Sequence, residues 1–241
     1  MCIRDRTDKG KFILTVYEKR VEEKDLPFFM GLMRNLFDAN FPSPEPIINI
    51  NGNYIAEISG KKAAVVSFLN GTAKKNLSTE NCYDVGAKTA TLHAITKNLS
   101  LKRKNQLSIN NWRKIFQNVK NDCSKINSDL PLIIEKNLNE IENNWPKNIP
   151  SGIIHADLFP DNILFENNKL TGIIDFYFSC NDFYAYELAI TTNAWCFDKK
   201  ESFNKVNFDA LLKGYKHHIV MSNDEKIHFN TLLRGAAMRI L

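Results

Sequence analysis

The sequence predicts an α+β protein of two lobes, a small antiparallel β lobe over residues 1–71 and a larger helical lobe over residues 72–241. Three observations predict it. Up to residue 71 apolar residues recur with a period of two and turn dipeptides intervene; beyond Gly71 the segments lengthen and take on helical character; and one compact strand–turn–strand pattern, residues 163–174, interrupts the helical part. Ligands favour the crevice between two such lobes.

In the first lobe Phe12, Leu14 and Val16 alternate with Ile13, Thr15 and Tyr17, as in a strand. Residues 25–39 read as a helix with Asp25 as N-cap and Pro27 in the first turn, stopped by Pro42, Pro44 and Pro46. Residues 47–50 and 54–58 flank Asn51-Gly52, a dipeptide favoured in two-residue hairpin turns, and predict a hairpin; residues 63–69 form a further strand after Gly60. In the second lobe residues 79–99 are helical, with Val85, Leu92 and His93 on or near one face. Residues 110–125 and 132–145 are two more helices, and Pro146 and Pro150 then break the chain. Residues 153–154, 163–165 and 170–174 read as short strands and the remainder as helix.

Composition excludes several classes. With 44% apolar and 24% charged residues the chain is neither disordered, collagen-like nor a coiled coil. The formal charge of +5 is dispersed, its one tight group being Lys102-Arg103-Lys104, so no nucleic-acid partner is expected. Cys2, Cys82, Cys123, Cys180 and Cys196 form no C-x-x-C pair, which argues against a disulfide framework or a zinc site and for a reducing cytoplasm. No apolar run approaches ~18 residues, so no membrane span is expected. Both ends read as cut: residues 1–6 are charged and lead almost directly into a strand, and the amphipathic helix of residues 229–241 meets no stop signal.

The chemistry is concentrated in residues 151–189, SGIIHADLFPDNILFENNKLTGIIDFYFSCNDFYAYELA: an H-x-D, an Asn five residues after that Asp, then strand, turn, strand and a second Asp. If residues 163–165 and 170–172 pair across residues 166–169, Asn162 lies opposite Ile173. Asn162 and Asp175 then share the open end of the hairpin, with Asp157 on the loop that enters it. Two carboxylates and a carboxamide oxygen are hard ligands that suit Mg²⁺ rather than zinc. Phosphoryl transfer uses such an assembly, and the catalytic-loop spacing of kinases is that from Asp157 to Asn162, with Asp175 at the place of the second metal carboxylate. In the bland alternative the three are a turn cap, a loop residue and a surface carboxylate; an Asp directly after Ile173-Ile174 is a poor choice for plain packing. His155 reads equally as a backbone-bonding structural group or a catalytic one, Asp161 as a loop-positioning residue, His93 as a helix residue and His217-His218 as surface or core. A protein kinase is disfavoured, because Ala156 and Tyr177 replace the Arg of H-R-D and the Gly of D-F-G and no A-P-E follows. A two-metal hydrolase using His155, Asp157, Asp161 and Asp175, or a nucleotide-binding pseudoenzyme, stays open.

His155-Ala-Asp157-Leu-Phe-Pro-Asp161-Asn162 resembles the catalytic loop of the aminoglycoside/choline phosphotransferase superfamily, whose fold is protein-kinase-like, and Ile174-Asp175-Phe176 resembles its metal-binding segment. Leu92-His93 ending a helix, and residues 66–71 as an inter-lobe hinge, fit as well. Within the superfamily, residues 12–20, 25–33, 152–162, 175–182 and 193–197 are most similar to the non-GHMP bacterial homoserine kinase branch. The resemblance implies transfer of a phosphate from ATP, with Mg²⁺, to the hydroxyl of homoserine in threonine biosynthesis; choline, ethanolamine, an aminoglycoside or methylthioribose are the alternative acceptors. It implies Asp157 as the base, Asn162 as catalytic and metal-binding, and Asp175 as the other metal ligand. Backbone near Ser67, Phe68 and Leu69 would meet the adenine. Asp182, Tyr186 and Trp195 would face the acceptor, Asp182 opposite its ammonium. Three departures stand out. The chain begins too late for the family's strands before Phe12 and the turn that covers the phosphates. Thr15 stands where a phosphate-binding Lys belongs, with Lys19 and Arg20 after it. Glu187 stands where an Asp is common, a position read as structural.

Overall fold

The strand-forming residues of the first lobe build a four-stranded antiparallel sheet in the order β1-β2-β4-β3. Its strands are β1 (Cys2–Thr7), β2 (Gly10–Val16), β3 (Ile55–Ile58) and β4 (Lys61–Ser67). The structure, a computed structural model, describes residues 2–8, 10–18, 21–198 and 202–240. Pairing of β1 with β2 runs from Cys2 opposite Thr15 to Thr7 opposite Gly10, so a strand does precede Phe12, contrary to the sequence expectation. Its polar composition hides it, because charged residues are tolerated on an edge strand. Lys9, Lys19 and Arg20 lie outside the described residues.

The hairpin expected around Asn51-Gly52 is replaced by another. β3 and β4 are joined by Ser59 and Gly60, both left-handed at φ 50° and 75°, the two-residue geometry that matches strand twist. At Asn51-Gly52 the Asn49 carboxamide oxygen accepts from the N–H groups of Asn51 and Asn53 at 2.9 and 3.1 Å, a local side-chain turn that competes with a ladder. Residues before it run along the edge of β4, where the Ile47 N–H donates to the Val65 carbonyl at 2.9 Å.

Helix α1 (Leu26–Asp38) buries Leu26, Phe29, Met30, Met33 and Leu36, one apolar face at helical spacing. Asp25 does not cap it. A 3₁₀ turn over Glu23–Asp25 gives Asp25 helical dihedrals, and its carboxylate accepts instead from Arg103 Nε at 2.6 Å. After strand β5 (Thr72–Ala73), helix α2 (Thr79–Thr96) opens on a reciprocal Ser78–Asn81 capping box. It carries Val85, Leu92 and His93 on its buried side.

Helices α3 (Ile109–Ile126) and α4 (Leu130–Asn144) pack against α7 (Asn223–Ile240) through Trp112, Phe116, Leu138, Ile141 and Leu232. Helix α5 (Tyr184–Trp195) is buried on nearly every side, and α6 (Lys205–Lys216) lies along α2. Strand β6 (Ser151–Ile154) pairs antiparallel with β9 (Cys180–Phe183), Gly152 opposite Asp182. The expectation of helix beyond residue 174 overlooked β9, a four-residue strand whose partner lies far back in the chain.

β7 (Ile163–Glu166) and β8 (Lys169–Ile173) form the expected hairpin, extended by β5. The register differs by one. The turn is two residues, Asn167 and Asn168, both left-handed, and an irregularity between Leu164 and Phe165 takes up one residue. Asn162 therefore faces Ile174, whose N–H donates to the Asn162 carbonyl at 3.0 Å, and not Ile173. One apolar cluster, including Tyr17, Phe29, Val85, Leu92 and Ile173, lies on both sides of residue 71. No helix among the described residues is long and apolar enough to cross a membrane.

Candidate active site

Strand β6 delivers the chain into His155-Ala156-Asp157. Ala156 is fully buried and left-handed at φ 63°, a conformation that a residue with a Cβ adopts at a cost of about 1–2 kcal/mol. It persists because the loop is held from three sides. The carboxylate of Glu187, fully buried in the first turn of α5, accepts from the N–H groups of His155 and Ala156, the latter at 3.0 Å. Nε2 of His155 lies 3.0 Å from the Ile174 carbonyl oxygen, a contact that needs the proton on Nε2 and ties this loop to the one that carries Asp175. Trp195 Nε1 donates to the Leu158 carbonyl at 2.7 Å.

Asn162 Nδ2 donates to Asp157 Oδ2 at 2.8 Å and to the Asp157 carbonyl at 2.9 Å, which fixes the carboxylate and leaves its other oxygen uncommitted by that bond. Burial pushes the Asp157 carboxyl above the usual range; His155 pulls it down and the like charge of Asp175 pushes it up. Asp175 is exposed and left-handed at φ 64°, one residue beyond the Ile174–Asn162 pairing. The hairpin thus brings Asp157, Asn162 and Asp175 to one end, as the spacing implied. Two carboxylates and a carboxamide share that end, and among the described residues no group of three or more His, Cys, Asp or Glu could hold a metal.

Between this end and the sheet lies a cavity of about 480 Å³ whose walls include Thr15, Val66, Ser67, Phe68, Leu69 and Asp175. Ser67, Phe68 and Leu69 thus share one space with Asp175. Among the described residues that line it there is no Lys or Arg. A second cavity of about 820 Å³ has Lys102, Arg103, Asn105, Trp145 and Asp182 on its walls. The Asp182 carboxylate accepts from Asn105 Nδ2 at 2.6 Å and from the Phe183 N–H at 2.8 Å, and burial pushes its carboxyl up.

Tyr186 and Trp195, expected near the acceptor, are both fully buried, Tyr186 against Trp112 and Trp145, and Trp195 under the catalytic loop. Large aromatic side chains at the centre of a buried helix serve the core first. His155 takes the structural of its two readings. His93 is fully buried, its Nδ1 3.0 Å from the Tyr215 hydroxyl, and His217 and His218 are exposed. Sequence reasoning missed Arg103. It donates to Asp25 and, at 2.9 Å, to the Ser179 carbonyl, and its guanidinium lies 4.9 Å from the centre of the Phe29 ring. No local pattern signals this, since Asp25 is 78 residues away.

Residues 3–218 match the model of the phosphotransferase enzyme family. The chain is 41% identical over 235 residues to a homoserine kinase of Mesorhizobium japonicum, covering 98% of this chain and 73% of that protein. It is 42% identical over 236 residues to a homoserine kinase of Xanthobacter autotrophicus, covering 98% and 74%. Among solved structures it is similar to an amicoumacin kinase in complex with AMP-PNP, Ca²⁺ and Ami, with a TM-score of 0.78 at 15% identity over 98% of this chain and 75% of that one. A microcompartment-associated aminopropanol kinase gives a TM-score of 0.74 at 13% identity over 99% and 83%. At these identities the structural likeness speaks for the fold, which is that of the kinase-like phosphotransferases.

Proposed function

This chain belongs to the phosphotransferase enzyme family, and we propose that within it the protein is an ATP-dependent kinase that converts L-homoserine to O-phospho-L-homoserine. The observation that carries this reading is the Asp157 carboxylate, locked by Asn162 and placed with Asp175 at the mouth of the hairpin, in a chain whose relatives carry that name.

The acceptor hydroxyl attacks the γ-phosphorus of ATP. An O–P bond forms, the bond from γ-phosphorus to the β–γ bridging oxygen breaks, ADP leaves, and the hydroxyl proton passes to Asp157. Asp157 Oδ2 is engaged by Asn162, so Oδ1 is the oxygen that takes the proton. Burial favours this role, since a carboxyl pushed up is a better base near neutral pH. Residues 1–71 serve as the nucleotide lobe, with the backbone of residues 67–69 facing the adenine, and residues 72–241 as the catalytic lobe. Asp182 faces the acceptor ammonium.

The donor set suits Mg²⁺. The Asn162 nitrogen is committed to Asp157, which leaves its carbonyl oxygen free to join the exposed Asp175 carboxylate as a hard-oxygen pair. When bound there, the ion neutralises phosphate charge. The buried free thiols of Cys82, Cys180 and Cys196 support a reducing cytoplasm as the setting, and the product feeds threonine biosynthesis.

The test is ADP release with ATP and Mg²⁺ across homoserine, choline, ethanolamine, methylthioribose and an aminoglycoside. Turnover on homoserine alone is the expected result. Turnover on a different alcohol keeps the mechanism and removes the acceptor; no turnover on any of them removes the proposal.

A further inference from the structure

Helix α7 buries Leu232, Gly235 and Ala236 in the helical lobe, and the next position along that stripe is Arg239. Arg239 is itself half-buried, and an arginine that carries a buried nitrogen ordinarily has a partner for it. Its guanidinium carbon lies 5.6 Å from the centre of the Phe178 ring, three residues beyond Asp175. Phe178 lines a cavity of about 340 Å³ whose wall also includes Asp175 and Asn105, the residue that bonds Asp182. Nη1 of Arg239 is buried and makes no well-aligned hydrogen bond among the described residues, and the fully buried hydroxyl of Tyr186 on α5, which interacts with Arg239, is likewise left without one.

One further observation places this charge. It pulls down the carboxyls of both Asp157 and Asp182, so it lies within electrostatic reach of the catalytic loop and of β9. An unmade guanidinium bond in a buried setting is costly, and a planar anion such as a carboxylate satisfies the guanidinium fork best. L-Homoserine requires just such a pairing. Its hydroxyl must reach Asp157 and its ammonium a carboxylate, and its carboxylate then needs a cation near both.

Resting on the acceptor reading above, we propose that Arg239 anchors the anionic group of the acceptor, the α-carboxylate of homoserine, and so selects an amino acid over an amino alcohol.

The experiment compares kcat/KM for L-homoserine with that for 3-aminopropan-1-ol, which is homoserine without its carboxylate, in the wild-type protein, Arg239→Ala and Arg239→Lys. The ratio of the two is expected to fall by about 10²-fold or more in Arg239→Ala, as when a site loses the group built to bond its substrate. Arg239→Lys, which keeps the charge but not the fork, is expected to fall between. Equal losses on both substrates, in Lys as in Ala, with an unchanged melting temperature, assign Arg239 to packing and overturn the proposal. If the wild type ignores homoserine but turns over another alcohol, the acceptor reading fails separately. The anchor then stands only if that alcohol carries an anion whose removal costs the wild type more than it costs Arg239→Ala, and a neutral or cationic acceptor overturns it.

Discussion

Asp157 carries the sharpest single-residue consequence. Its carboxylate is held by Asn162 and raised by burial, so the amide in Asp157→Asn keeps the shape and loses the base. Turnover is expected to fall by at least ~10²-fold, with nucleotide affinity little changed, when rates and calorimetric binding are compared. Glu187 acts one layer behind. It accepts from two consecutive buried N–H groups, one of them on left-handed Ala156. Glu187→Ala leaves those donors unsatisfied and is expected to lower unfolding free energy by about 3 kcal/mol in urea titration. A loss below about 0.5 kcal/mol would mean that the loop holds its shape without that carboxylate.

At the scale of elements, the close approach of α2 and α6 is set by two glycines. A methyl group on Gly214 would come within 2.0 Å of the Tyr83 carbonyl oxygen, and one on Gly86 within 2.0 Å of the Leu211 carbonyl oxygen. Backbone cannot rotate out of the way as a side chain does, so the helices must part. Gly214→Ala is expected to destabilise by about 3 kcal/mol, the upper range for overpacking, despite the better helix propensity of alanine. A melting temperature at or above that of the wild type would show that the pair is free to separate. The β7–β8 hairpin makes the complementary point. Its register is decided by a two-residue Asn-Asn turn and one irregularity, and these determine that Asn162 faces Ile174, beside Asp175.

For the molecule as a whole, the contacts that tie α1 to the catalytic segments converge on Arg103. One side chain reaches Asp25 at the start of α1 and the Ser179 carbonyl just before β9. Tyr17 and Tyr177 add a hydroxyl–hydroxyl bond of 3.0 Å. Both side chains of the Arg103–Asp25 pair are nearly buried, so removing one partner strands the other. Arg103→Ala is expected to cost roughly 3 kcal/mol of stability, and the double variant Asp25→Asn/Arg103→Ala clearly less than the sum of the singles. Additive losses in that cycle would assign the effect of Arg103 to its other contacts.

The sequence by itself determined the α+β class, most elements to within a few residues, and the convergence of Asp157, Asn162 and Asp175. Each of these follows from periodicity, turn chemistry or short spacing, which act within one hairpin or one helix. It did not disclose β1, whose charged residues read as a cut end leading into the next strand, nor β9, whose partner strand is β6. Nor did it disclose that Tyr186 and Trp195 belong to the core. Tertiary structure alone decided the rest. Glu187 meets His155 across 32 residues, Arg103 meets Asp25 across 78, and the wall of the cavity beside Asp175 is assembled from β2 and β4 together with Leu164 and residues 174–177. Such pairings depend on which elements pack together, and packing is settled by the burial of apolar faces over the whole chain, which no local pattern of residues records.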